Sequence, residues 1–401
     1  MMAAGSGSLL QVSEIHRLAV VGGEAVIART TGHRLGQVLL PRSRFADVEA
    51  VATATLTLGP DAGAFYDRGW ARRATGRPRP ALDDYRQAMA LYRQAGDRAG
   101  EAATLNNIGL LYNGLGDRRQ ALDHYHQALP TFREVGNRYG EAATLNNIGR
   151  VYSWLGDRRQ ALDHYHQALP TFREVGDRVG EAATLINIGS VYDGLGDRRQ
   201  ALDHYHQALP IFREVGSRSG EAATLTSIGR AYDGLGDRRQ ALDHYHQALP
   251  TFREVGDRVG EAITLTSIGS AYNGVGDWRQ ALDYFEQARP VFRKVGDRAG
   301  EAVTLTNIGS AYHGMGDRPR ALDCFEQALP ILREVGDRTS EAVTRYNIAM
   351  IHRADGDLAL AVTELERAVD LGRQIEHPGL ARNIAMLEQV RRELAQTRTQ
   401  A

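Results

Sequence analysis

Apolar residues recur along this chain with helical spacing. Between Glu101 and Leu115 they fall at Leu105, Ile108, Leu111, Tyr112 and Leu115. Between Arg119 and Val135 they fall at Leu122, Tyr125, Ala128, Leu129, Phe132 and Val135. Each set forms one stripe of an amphipathic helix. Gly116-Asp117 separates the two: glycine suits the left-handed position after the first helix, and aspartate suits the N-cap of the second. Gln120, three residues after Asp117, has capping-box spacing, and Gly136-Asn137 repeats the punctuation before the next pair.

The pair is one period of a repeat. The fifteen-residue string GDRRQALDHYHQALP starts at Gly116, Gly156, Gly196 and Gly236, with looser copies at Gly276 and Gly316. GEAATLxxIG starts at Gly100, Gly140, Gly180 and Gly220, with variants at Gly260 and Gly300, always at a step of 40. Extended outward, the period predicts eight helix pairs over 57–376, an N-terminal segment 1–56 and a C-terminal helix with a frayed tail over 377–401. A periodic array of this kind stacks its units so that each buries its apolar stripe against its neighbours. Gly109 and its equivalents lie inside the first helix, where glycine costs about 1 kcal/mol relative to alanine. Close helix approach against Ala121 and Ala128 is the expected reason. Pro130 predicts a mild kink in each second helix.

Composition narrows the function. Of 401 residues 24% are charged and 42% hydrophobic, with a net charge of −1, which argues against a nucleic-acid partner held by bulk charge. Cys324 is the one cysteine, too few for a disulfide framework or a cysteine-rich zinc site. No apolar run is long enough to span a bilayer, and the first residues lack signal-peptide character. These features predict a cytoplasmic protein without membrane contact. Lys294 is the single lysine among 48 basic residues, which reads as codon bias.

Leu105, Ile108-Gly109, Tyr112, Ala121, Tyr125 and Ala128 resemble the tetratricopeptide repeat pattern. The 40-residue unit is longer than that family's usual unit, and Pro130 stands earlier than its proline. The long unit is similar to the subgroup of Leu-Gly-Asn-repeat scaffold proteins, kinesin light chains and bacterial signalling-associated repeats. The resemblance implies an all-α, right-handed α-solenoid whose first helices line a concave, peptide-binding face.

The repeats provide an internal control for where binding residues lie. The Ile108 and Tyr112 positions, read as buried, barely change from unit to unit. The opposite stripe of the first helix varies, while second-helix positions such as Asp123 and Gln127 stay fixed. The candidate peptide-binding residues on and beside that stripe are Asn106, Asn107, Asn146, Asn147, Arg150, Asn187, Ser190, Asp193, Thr226, Arg230, Asp233, Thr266, Ser270, Asn273, Asn307, Ser310, His313, Asn347 and Arg353; the first unit adds Tyr66, Trp70 and Arg73. In the resembling family, asparagine at the Asn107 position bonds a peptide backbone, a task suited to an amide that both donates and accepts. Arg150, Arg230 and Arg353 favour a ligand with acidic residues, tempered by Asp193 and Asp233.

The leading expectation is a non-enzymatic scaffold for a protein or peptide, without cofactor, catalytic residue or metal. The alternatives are a self-assembling repeat protein, or a sensor or adaptor partner of a bacterial signalling ATPase or caspase-like protease. The pairs His124/His126, His164/His166, His204/His206 and His244/His246 could stack into two rows, but copied surface residues explain them more simply, and Cys324 reads as a spectator. Over 1–56 the sequence RLAVVGGEAVIAR allows a β-hairpin turning at Gly22-Gly23; a worn repeat with helices over GEAVIARTTGHRLG and Pro41–Thr55 is preferred. Arg345, His352 and Asp355 replace Leu, Tyr and Leu in the last unit, as a solvent-facing cap requires. After Pro378, a helix carrying Leu380, Ile384, Leu387 and Val390 should cover the final hairpin.

Overall fold

A computed structural model describes residues 3–375 and 379–400; the boundary at 376/377 and Pro378 lie outside the described residues. The described residues form α-helices and one 3₁₀ turn, Leu40–Arg42, with no strand. The chain divides into two compact units, 1–191 and 192–401. This boundary falls within the repeat array, not at 56/57.

The first unit holds α1 (Ala3–Val21), α2 (Ala25–Leu39), α3 (Phe45–Leu56), α4 (Ala62–Ala74), α5 (Pro78–Ala95), α6 (Arg98–Gly114), α7 (Arg118–Glu134), α8 (Arg138–Trp154) and α9 (Arg158–Val175). The division lies inside α10 (Arg178–Leu195). The second unit continues with α11 (Arg198–Glu214), α12 (Arg218–Gly234), α13 (Arg238–Val255), α14 (Arg258–Gly274), α15 (Trp278–Val295), α16 (Arg298–Gly314), α17 (Arg318–Val335), α18 (Arg338–Ala354), α19 (Leu358–Gln374) and α20 (Leu380–Gln400). From α4 to α19, even-numbered helices are first members of hairpins and odd-numbered helices second members. Each unit is a solenoid of stacked hairpins.

The turn chemistry follows the sequence. Gly116 and Gly136 have φ of +82° and +70°, and the Asp117 side chain accepts from the Gln120 backbone N–H at 3.1 Å. The reciprocal half of a capping box is replaced: Gln200 and Gln240 donate from their side chains to the Asp197 and Asp237 carboxylates, not to the N-cap backbone. Helix α7 continues through the exposed Pro130.

The core consists of local clusters at hairpin junctions. One joins Ala121, Tyr125 and Leu129 of α7 with Leu145, Ile148 and Val151 of α8 and Phe172 of α9. Burying an aromatic side chain of this kind contributes about 2–3 kcal/mol. The helical glycines admit the facing aromatic ring first and, in several units, the backbone of the alanine equivalent to Ala121: a Cβ on Gly149 or Gly229 would lie 3.1 or 3.0 Å from the Ala161 or Ala241 carbonyl. A Cβ on Gly109 would lie 2.5 Å from the Tyr125 ring, and one on Gly149 2.7 Å from Tyr165. Phe285 and Phe325 take the tyrosine's place against Gly269 and Gly309. The Tyr125 hydroxyl has no hydrogen-bond partner among the described residues, so ring volume is what this position requires.

Three expectations change. Helices flank Gly22-Gly23, which overturns the β-hairpin; α2 and α3 occupy the two stretches read as worn helices. Tyr112 is half-buried and stacks on His124, with ring centroids 5.4 Å apart and planes 6° from parallel. Arg345 does not face solvent: it is buried and donates to Glu341 at 2.8 Å and Glu364 at 2.6 Å. It stands in the slot of Leu105 and Leu145, which is buried in the other units as well. Helix α20 covers a different part of the last hairpin: its Leu387 and Val390 are buried with Ala349, Leu365 and Val369, while Leu380 and Ile384 pack alongside. Asp355 is exposed but paired with Arg318 at 2.8 Å.

Candidate functional site

Successive first helices touch one another, α4 with α6 and α6 with α8 in the first unit, and α12, α14, α16 and α18 in turn in the second. Successive second helices make no comparable contact. Each stack is therefore tighter on its first-helix side where these pairs meet. The variable stripe lies along that line, so several of its residues contact the next hairpin.

In the first unit the amides join the hairpins. Asn106 Oδ1 accepts from Thr144 Oγ1 at 3.2 Å and from Asn147 Nδ2 at 3.1 Å. Asn146 Oδ1 does the same for Thr184 at 3.2 Å and Asn187 at 3.0 Å. Asn107 Nδ2 donates to the Tyr66 hydroxyl at 2.7 Å and the Ala103 carbonyl at 3.1 Å. Arg150 is half-buried with no ion pair among the described residues. Its charge lies close enough to Tyr125 and Tyr165 to oppose the upward shift that burial imposes on their hydroxyls. Ser190 is exposed.

In the second unit hydroxyls replace the amides at the joints. Thr226 and Thr264 meet at 3.1 Å, Thr266 and Thr304 at 3.5 Å, and Thr306 and Thr344 at 3.0 Å. Asp193 lies 3.4 Å from Arg230 and 3.9 Å from Arg198, and Asp233 lies 3.7 Å from Arg238. Arg353 is held by Glu393 of α20 at 2.5 and 2.9 Å. Ser310 donates to the Thr306 carbonyl at 3.0 Å. The remaining candidates are less engaged. Asn273 Oδ1 is buried without a partner, the Asn307 and Asn347 amides and the Ser270 hydroxyl have none among the described residues, and His313 is exposed.

A second set of functional side chains emerges only in three dimensions. The glutamate of GEAATL is a buried joint between hairpins. Glu101 accepts from Arg93 of the preceding hairpin at 2.8 Å and from Arg98 at 2.7 Å, and the Arg93 hydrogen bond, more than any other interaction, holds its carboxyl below the usual range. Glu141 repeats this with Arg133 and Arg138. The invariance of this glutamate together with an arginine eight residues earlier was the available signal. His124, His164, His204 and His244 lie flat on Tyr112, Tyr152, Tyr192 and Tyr232; burial lowers the pKa of His124, His164 and His244. No group of three or more metal-ligating side chains occurs among the described residues. Burial also pushes the Cys324 thiol up, away from thiolate character. No described helix is long and apolar enough to cross a membrane.

A sequence model of the tetratricopeptide repeat matches residues 61–134, 140–214, 180–254 and 260–334, and a second model of the same repeat matches 342–374. No curated protein matches the chain. Among solved structures, the apo form of the quorum sensor NprR from B. thuringiensis is similar at TM-score 0.64 and 17% identity, over 76% of this chain and 88% of that one. A Rap protein complexed with competence and sporulation factor is similar at TM-score 0.60 and 16% identity, over 92% and 98%. A signal transduction ATPase with a tetratricopeptide repeat sensor from Pyrococcus horikoshii gives TM-score 0.65 and 14% identity, over 90% of this chain and 54% of that one. At these identities the likeness is one of fold.

Proposed function

Because the chain belongs to the tetratricopeptide repeat family, we propose that it is a non-enzymatic interaction scaffold holding extended peptide segments along the first-helix face of each unit. One observation carries the reading: after the hairpins have joined, that face retains polar groups with no internal partner. These are Arg150 in the first unit and Asn273, Asn307 and Asn347 in the second. Amides held on packed helices can donate to and accept from a peptide backbone with little further ordering. The preference for acidic residues rests on Arg150, since Arg230 and Arg353 are engaged by Asp193 and Glu393. Asn106, Asn146 and Thr226 act as joints and not as ligand contacts.

The test is an array of extended peptides of varied charge probed with the full chain. Combined Asn273→Ala, Asn307→Ala and Asn347→Ala should abolish retention generally. Arg150→Gln should remove the acidic subset alone, with helicity by circular dichroism unchanged in both variants. Retention unaffected by either change would reject the site.

A further inference from the structure

Among the described residues, arginines accompany the buried carboxylates with one exception. Asp84 is held by Arg68 and Arg72, Glu101 by Arg93 and Arg98, and Glu141 by Arg133 and Arg138. Glu181 is held by Arg173 and Arg178, Glu261 by Arg253 and Arg258, Glu301 by Arg298, and Glu341 by Arg333 and Arg345. Asp67, on α4, is 8% exposed and has neither an ion pair nor a hydrogen bond among the described residues. Its neighbours in sequence and space turn elsewhere: Arg68 and Arg72 toward Asp84, and Arg29 toward Asp61 at 3.7 Å. A lone buried carboxylate is strongly disfavoured in a folded protein. Here burial, reinforced by the like charge of Asp61, pushes its pKa up to about 7.

Asp67 lines a cavity of about 300 Å³ on the first hairpin, closed on one side by Leu40 at the end of α2. Three aromatic side chains line it: Tyr66 and Trp70 stand edge to face, with centroids 6.1 Å apart and planes at 89°, and Tyr92 of α5 lies beside them, while His33 and Gln37 of α2, hydrogen-bonded to each other at 2.9 Å, add polar lining. The Asn107 amide fixes the Tyr66 hydroxyl at 2.7 Å. Gly36 lets α2 approach the Asp67 carboxylate, which a side chain there would displace. Aromatic faces attract cations through their quadrupoles, and a few fixed polar groups in an apolar pocket orient a ligand.

We propose that this cavity binds an organic cation, an ammonium or guanidinium group on an apolar stem, with Asp67 as counter-charge and Tyr66, Trp70 and Tyr92 as aromatic walls. The site lies on α4, within the first-helix face of the first unit, and differs from the contacts proposed above in having the opposite charge preference. Its ligand is either a free amine or the basic side chain of a bound peptide; the chemistry recognised is the same.

The experiment is calorimetric titration of the full chain at pH 8, where Asp67 is largely ionised, with phenethylamine and with its neutral counterpart 2-phenylethanol. The amine should bind roughly tenfold or more tightly than the alcohol. Asp67→Asn should erase that preference, and Trp70→Leu should weaken both ligands. A lysine-containing blocked peptide binding more tightly than phenethylamine indicates a peptide source, and the reverse indicates a free amine. Equal binding of amine and alcohol by the wild type, which needs no variant, overturns the proposal. So does an Asp67→Asn chain, folded by circular dichroism, that keeps the preference. Peptide retention through Asn273, Asn307 and Asn347 should survive Asp67→Asn, so the two readings fail separately.

Discussion

The two units close the same joint with different chemistry. In the first, the Asn106 carbonyl gathers two donors from the next hairpin, Thr144 and Asn147, and Asn146 repeats the arrangement. In the second, a single hydroxyl pair such as Thr226 and Thr264 does the work, and the following amide position is serine at 267 or a disengaged asparagine at 307 and 347. A variable residue on a repeat surface therefore need not be a ligand contact: an asparagine built into a joint in one unit is released in the other when its partner becomes threonine.

The largest expected effect tests what the units share. Gly149→Ala and Gly229→Ala each drive a Cβ into a buried tyrosine ring, at 2.7 and 2.5 Å, and each should cost about 1–3 kcal/mol in denaturant unfolding. Tolerance of either would mean that its hairpin has slack the other lacks. Next comes the joint itself. Asn106→Ala leaves the Asn147 amide without its acceptor, while the Thr144 hydroxyl keeps the Gly140 carbonyl at 2.8 Å, and should destabilise by roughly 1–2 kcal/mol, whereas Thr226→Val removes the hydroxyl together with its contacts to Thr264 and the Ala222 carbonyl and should cost about half as much. Equal losses would erase the contrast between amide and hydroxyl joints.

A third measurement compares two buried acids of the first unit. Asp67 has a folded pKa above its ordinary value, so its contribution to stability is present below about pH 4 and is lost as pH rises through about 7. Glu101 has a lowered pKa, so its contribution is present above the ordinary carboxylate value and is lost as pH falls through the folded one. Thermal melts should show Asp67→Asn gaining more at pH 8 than at pH 5. Glu101→Gln should lose stability at both, and no pH dependence in the Asp67 difference would refute its uncompensated burial. The smallest stability effect belongs to Asn307→Ala and Asn347→Ala, expected within about 0.5 kcal/mol of wild type.

Helix periods, turn glycines and N-caps were legible because each depends on a few adjacent residues. So was the stripe that varies. What that stripe touches was not legible, because Asn106 and Asn147 are 41 positions apart and no single unit contains both. Reading slots across units offers a partial signal: asparagine at 106 and 146 is followed by asparagine at 147 and 187, and threonine at 226 by serine at 267. Threonine at 266 followed by asparagine at 307 breaks the rule, which is why the rule could not be trusted. Arg345 illustrates a different limit. Its polarity suggested solvent, but it fills the buried slot of Leu105 and Leu145, and Glu341 and Glu364 supply its partners there. Asp67 is followed closely in sequence by two arginines, Arg68 and Arg72, and only geometry shows that both turn away.

The repeated joint has a consequence for how such a chain can change length. Removing residues 141–180, one whole period, would bring Thr184 and Asn187 to the places that Thr144 and Asn147 occupy opposite Asn106, with the same donors on the same helix face. The shortened chain would need no new interface. Recombination between near-identical stretches could thus lengthen or trim the molecule in whole steps, each product arriving already able to fold.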